Sequence, residues 1–345
     1  MALIIVIGCR EPFDFDYDDD VNSQVVIDGY ISDLAKSHTV RVSRSTTIND
    51  RGLVETQFVN DAQVRVEDDQ GGSITFFNTA SGYYESPPNY SAQEGLSYRV
   101  VVTLASGEEY NTEFTPLPER GAAVADLSFS GELQDVLMNN SVQQEEGAAI
   151  FATINKGDTK SYYQWRIGHY FVGEADLALS NEIRFCYLRD FDEPRIVLLE
   201  DNPLLAGQPD EFTYQIDFIP ISAQMEHEFG VEGILLTMSE EDFAFWDDVK
   251  TQTENSGGLF DAAPFTLVGN IRNTGTGESG LGYFGVYRES IDRVFFVQGE
   301  LGFRNRVFPP CTVPPFAPQP NSCQDCRAFE FQENFGTQPP VWWGN

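Results

Sequence analysis

Five cysteines and three histidines carry most of the reactive side-chain chemistry in this 345-residue chain. Cys9 follows Val6-Ile7-Gly8 at the end of an apolar start, Met1–Ile7. Branched apolar, apolar, small, Cys is the pattern cut by bacterial lipoprotein signal peptidase. That cleavage leaves Cys9 as the new N-terminus, with lipid on its thiol and amine, and it predicts a membrane anchor. The competing reading makes Met1–Gly8 a buried strand and Cys9 a core thiol. Four cysteines remain, Cys186, Cys311, Cys323 and Cys326. An even number in an exported chain predicts two disulfides, with three connectivities open. A four-thiolate zinc site around Cys323-x-x-Cys326 is the alternative; zinc ribbons normally add a second close pair, and Cys186 and Cys311 are far apart.

The other reactive groups form no recognisable constellation. His38, His169 and His227 fall in different elements and in no zinc-binding spacing. No Gly-x-Ser-x-Gly elbow occurs. Gly277-Glu278-Ser279-Gly280-Leu281-Gly282 lacks the Lys of a phosphate loop and reads as a turn. Carboxylates are so abundant that no pair singles itself out for glycosidase work. The four Trp and 14 Tyr suit sugar stacking or a core. The expectation is a non-catalytic protein with no cofactor beyond the lipid on Cys9.

Charge sharpens this. The net charge is −33. Phosphate binding needs clustered Lys and Arg, so nucleic acid is excluded as a partner. Just after Cys9 the run from Arg10 to Asp20 holds Glu11, Asp14, Asp16, Asp18, Asp19 and Asp20. Like charges at that density keep a chain extended and solvated, which suits a tether. The run also resembles the acidic export signal that Bacteroidota place behind a lipidated Cys. It lacks the glycine and spacing of a calcium loop. No stretch of 18 or more apolar residues marks a membrane-spanning helix.

The elements that must position these groups are mostly strands. Hydrophobic content of 41% allows a real core. Period-two alternation marks strands at 25–27, 39–42, 62–67, 73–77, 98–104 and 109–114, separated by Gly, Asn and Asp turns. That spacing predicts a β-sandwich. Thr115–Gly121, with two prolines, reads as a linker. Further strands are predicted at 162–167, 183–187, 213–219, 233–238, 266–271, 281–287 and 293–297. One helix stands out: Ser239-Glu240-Glu241-Asp242 resembles a capping box, Phe243, Trp246 and Val249 form a stripe expected to pack on the sheet, and Gly257-Gly258 stops it. The fold class is therefore all-β with one short helix. The predicted divisions are 1–8, a signal remnant; 9–22, lipidated Cys and acidic tether; 23–117, a β-sandwich; and 118–345, a larger antiparallel domain with a Cys-containing tail.

Several motifs together resemble the domain-of-unknown-function 4249 family of Bacteroidota lipoproteins. In the first part these are Val26-Ile27-Asp28-Gly29-Tyr30-Ile31, His38-Thr39-Val40-Arg41-Val42-Ser43-Arg44-Ser45, Asp61–Asp68 and Gly82-Tyr83-Tyr84. In the second they are Phe185-Cys186-Tyr187, Phe243-x-x-Trp246-x-x-Val249-Lys250, Asn255-x-Gly257-Gly258-Leu259-Phe260-Asp261, Val268–Ile271, Leu281–Phe284, Cys323-x-x-Cys326 and Pro340-Val341-Trp342. Near the end the chain has Gly336 and Gln338-Pro339-Pro340 where the family places Gly-Gly and Lys-Pro, so the Lys is missing. The resemblance implies a lipoprotein on the outer face of the outer membrane, a partner among SusC-like TonB-dependent barrels or other envelope proteins, and a first domain of transthyretin-like or carboxypeptidase-regulatory-like form. It supplies no catalytic residues. Three function classes follow: an accessory subunit of such a transporter or envelope complex, which is the leading expectation; an independent glycan- or peptide-binding lipoprotein; and an unrecognised hydrolase.

Overall fold

The computed structural model describes residues 24–45, 56–138, 141–157, 161–175, 185–190, 197–200, 209–254, 267–304, 323, 325–328 and 332–344. Cys9, the acidic run Glu11–Asp20, Cys311 and Gly257-Gly258 lie outside the described residues, and so does any test of the roles predicted for them.

The molecule is β-rich with one α-helix among the described residues. The first unit contains β1 (Val25–Ser32), β2 (Thr39–Arg44), β3 (Gln57–Phe58), β4 (Gln63–Asp68), β5 (Ser73–Ala80), β6 (Tyr83–Glu85), β7 (Ser97–Thr103), β8 (Glu109–Asn111) and β9 (Thr115–Pro116). Their alternation is the one read from sequence: Val25, Ile27, Val40, Val42, Val64, Val66, Val100 and Val102 point inward and are buried. β5 is the corner. Its first half pairs with β4 and its second half with β6, so the strands on either side fold over one shared apolar core.

The second unit contains β10 (Ala123–Met138), β11 (Ser141–Asn155), β12 (Tyr162–Glu174), β13 (Phe185–Asp190), β14 (Val197–Glu200), β15 (Glu211–Pro220), β16 (Phe229–Met238), the helix α1 (Glu240–Glu254), β17 (Arg272–Asn273), β18 (Phe284–Phe296) and β19 (Gln332–Gly336). A three-stranded sheet, β10-β11-β15, packs on β12, β13, β16 and β18 around Trp165, Tyr163, Phe171, Phe229, Leu235 and Ile150.

Two expectations are corrected. Residues 23–117 do not complete the first unit alone: Ile271, Phe284 and Val286 enter its core. The reason lies in β18. Its first residues run parallel to β1 (Gly29–Ser32 against Phe284–Tyr287), and its remainder runs antiparallel to β16. One strand therefore carries the sheet from one unit into the other. The supposed linker is also docked. Thr115 and Pro116 pair with β7, Leu117 is buried, and the Pro118 carbonyl accepts a hydrogen bond from Arg288 Nε. Proline there occupies an edge position where its missing N–H costs no ladder bond.

Among the described residues of 266–271, no strand forms. Asn270 replaces the ladder with its side chain, donating to the Phe284 carbonyl (2.8 Å) and accepting from the Phe284 N–H (3.0 Å). The β10–β11 hairpin, not foreseen, is the longest element. Beyond Gly147 no β15 residue pairs with it in the ladder, so 132–138 and 141–146 continue as a two-stranded ribbon, tied by Ile221 N–H to the Glu146 carbonyl and by Gln134 to Gln215, with Leu133 and Val142 exposed.

α1 begins as its sequence predicts. The Ser239 hydroxyl accepts from the Asp242 N–H (3.1 Å), and the Asp242 carboxylate accepts from the Ser239 N–H (3.2 Å), a reciprocal capping box. Phe243 and Trp246 then pack on Leu236, Met238 and Tyr287, on the sheet face opposite the second core.

Candidate functional site

The outward face of the β1–β2 ladder is the floor of a groove. Period-two alternation turns Val26 and Asp28 outward from β1, and register sets Asp28 directly opposite Arg41 and Val26 opposite Ser43. α1 forms the facing wall with Phe245, Trp246 and Val249, and Tyr283 closes one end. The space is about 420 Å³.

Tyr283 reaches the groove because 281–283 lies flat on β1. Leu281 N donates to Val25 O (2.9 Å), Ile27 N to Leu281 O (3.0 Å) and Gly29 N to Tyr283 O (3.1 Å). Gly282 makes this approach possible: its φ is +91° and a Cβ would collide with the Ile27 carbonyl. Tyr283 stacks on Phe245 at 4.2 Å between centroids and hydrogen-bonds Asp242, so the wall is fixed to the floor.

The charged groups are held by ring faces. The Arg41 guanidinium lies 5.3 Å from the Phe58 centroid and 5.6 Å from that of Tyr83. Arg166, on β12, lies 4.5 Å from Tyr30 and 5.8 Å from Trp246. Such contacts hold a cation without neutralising it. Arg41 Nε is buried and has no hydrogen-bond acceptor. Asp28 is open to the groove but walled by protein. That enclosure pushes its carboxyl pKa up, against the pull of Arg166 and Arg41. The result is a fixed cation beside an anion, facing an aromatic wall.

The residues singled out from sequence lie elsewhere. Cys186 and Cys326 are joined in a disulfide, both fully buried, with Cα atoms 5.6 Å apart. Cys323 is disulfide-bonded as well. A sulfur in a disulfide is not a thiolate ligand, which removes the zinc alternative at Cys323-x-x-Cys326. His38 is buried, with Nε2 3.0 Å from the Tyr90 carbonyl, and burial lowers its pKa. His169 meets Asp217 at 3.0 Å and His227 meets Glu174 at 2.6 Å, each a two-residue pair. Among the described residues no group of three or more His, Cys, Asp or Glu side chains is placed to hold a metal.

Asp28, Arg41 and Tyr283 sit inside motifs quoted above, but their chemistry was not foreseen. The one available signal was an Asp and an Arg at outward positions of neighbouring strands. The helix stripe divides: Phe243 packs on the sheet, Trp246 packs there and also faces the groove, and Val249 lines the groove.

A β-rich protein with a groove between its helix and its first hairpin is the class these features define. The sequence profile of the family described as domain of unknown function (DUF4249) matches residues 10–293, and the chain belongs to that family. The tail with Cys323, Cys326 and the terminal Trp pair lies beyond the match. No curated protein matches the chain.

Proposed function

We propose that this protein is a lipid-anchored lipoprotein facing the cell exterior, working as a non-catalytic interaction subunit of a TonB-dependent, SusC-like transporter or another envelope complex. The observation that supports this reading is the β10–β11 ribbon. Its distal half lies beyond the last ladder pair with β15 and carries exposed Leu133 and Val142 on one face, the form of element to which a partner surface adds. Anchoring through Cys9, with Glu11, Asp14, Asp16, Asp18, Asp19 and Asp20 as the export signal, would set that ribbon beside outer-membrane partners. The test is co-purification from native outer membranes. A SusC-like barrel should be recovered in near-stoichiometric amount with the wild type and lost when 132–146 is replaced by a tight turn. Cys9→Ala should move the protein out of the membrane fraction. Unchanged fractionation of Cys9→Ala, or unchanged barrel recovery without the ribbon, sinks the corresponding half of the proposal.

A second reading is favoured by the groove: a lipoprotein that captures a small ligand on its own account. The two are compatible, because no β10 or β11 residue lines the groove.

A further inference from the structure

We infer that the groove between α1 and the β1–β2 floor binds a small carboxylate that carries a hydrogen-bond donor one or two carbons away and has one apolar face. This rests on the second reading above, that the groove is a ligand site, and adds the chemistry of the ligand.

The argument starts from Arg41. A buried N–H with no acceptor is costly and calls for an explanation. Here the donor is Arg41 Nε, on a guanidinium that lies near both the Phe58 and the Tyr83 rings. The ring contacts leave its charge intact. Nε faces inward, so a ligand meets the part of Arg41 that lines the groove, and the group that fits a guanidinium there is a carboxylate or phosphate, taken through charge-assisted N–H···O bonds.

Asp28 decides between them. It stands directly across the ladder from Arg41. Arg44 also lines the groove, so a phosphate dianion is disfavoured only where its second charge meets Asp28; inorganic phosphate, titrated alongside, should bind more weakly than the acids. A monoanion with a donor one or two carbons from its carboxylate matches the pair: carboxylate to Arg41, donor to Asp28. The hydroxyl-bearing residues Ser43, Ser45 and Thr56 line the same side. The opposite side is Phe245, Trp246, Val249 and Tyr283, which takes an apolar face by stacking and burial. A volume of about 420 Å³ suits a single ring or an amino acid, not a long chain.

Two kinds of molecule share this chemistry. In an aromatic α-amino acid the donor is an ammonium on the adjoining carbon; in a uronic acid it is the ring hydroxyl one carbon further on. Isothermal titration of the full chain with phenylalanine, tryptophan, glucuronate and galacturonate, alongside phenylalaninamide, glucose and galactose, separates them. At least one acid should bind, with its neutral counterpart weaker by tenfold or more. Arg41→Gln should remove that preference, while Arg41→Lys, which keeps the charge but not the fork, should restore only part of it. Asp28→Asn should cost an ammonium-bearing ligand more than a hydroxyl-bearing one, because only the former loses a charge pair. Circular-dichroism melts equal to wild type establish that the variants are folded. Binding that ignores the carboxylate, or is unchanged in Arg41→Gln, overturns the ligand class while leaving the groove a ligand site. If none of the compounds binds or changes Trp246 fluorescence, the inference and the ligand-site reading fall together.

Discussion

Asp28 shows how one residue carries opposing forces. The groove walls disfavour its charge, and Arg166 and Arg41 favour it; the enclosure wins and the carboxyl pKa is raised. A raised folded-state value means the native protein holds the proton more tightly than the unfolded chain, whose value is about 3.9. The stabilisation is therefore complete below that ordinary value and is lost as pH rises through the raised one. Without ligand, Asp28→Asn should melt slightly above wild type at pH 7, and this advantage should vanish by about pH 4. Melting curves across that range check it. A difference that stays constant with pH would show that Asp28 titrates normally. Nothing local marks this behaviour. Asp28 follows Val25-Val26-Ile27 in an ordinary alternating strand, and Arg166 meets it only because β12, β16, β18 and β1 are neighbours in one sheet.

At the scale of elements, what could be read was what is local. The α1 cap is the clearest case, since its partners are three residues apart. Ser239→Ala removes one half of the capping box and should cost about 1 kcal/mol, read as a lower denaturant midpoint. Ser239→Asn, another good capping residue, should recover most of the loss; equal midpoints for Ala and wild type would mean that packing alone fixes the helix start. The strands of the first unit were equally legible, because one face of each is buried and the pattern has period two. The β10–β11 ribbon was not. Its distal half, with Gln143, Gln144, Glu145 and Glu146 on one strand, has no fully buried side chain among those described, so no apolar alternation records it. The segment before β17 misled for the opposite reason. Val268 and Ile271 look like strand residues, but the Asn270 side chain takes over the backbone's pairing with Phe284. The groove was illegible because its walls come from 26–56 and from 245–283, and only the parallel pairing of β1 with β18 brings them together.

The whole molecule is held by connections distant in sequence. β18 joins the two units, and charged groups reinforce the seam. Arg288 pairs with Asp33 at 3.1 Å, and Glu289 takes hydrogen bonds from Lys36 and Ser32. The second long-range tie is the Cys186–Cys326 disulfide, which spans a sequence separation of 140. Closing a loop of that length removes unfolded-state freedom worth about 5 kcal/mol in the chain-entropy account, and native disulfides commonly contribute about 2–5 kcal/mol. The bond also precedes β19, which pairs with β13 and leads to the terminal aromatics. Trp342 packs edge-on against Tyr170 at 4.8 Å under Arg293. Trp343 packs against Tyr187 at 4.9 Å, and its indole N–H donates to Glu228. The tail thus covers a sheet surface that α1 leaves open. Replacing both Cys186 and Cys326 with Ser should lower stability by about 2–5 kcal/mol. It should also loosen the tail, shifting tryptophan emission to the red as Trp342 and Trp343 meet water, while Trp165 stays in the core. A double variant with wild-type stability and emission would show that β19 pairing and the aromatic cluster hold the tail without the covalent bond. Loss of stability with unchanged emission would confine the disulfide's role to the unfolded chain.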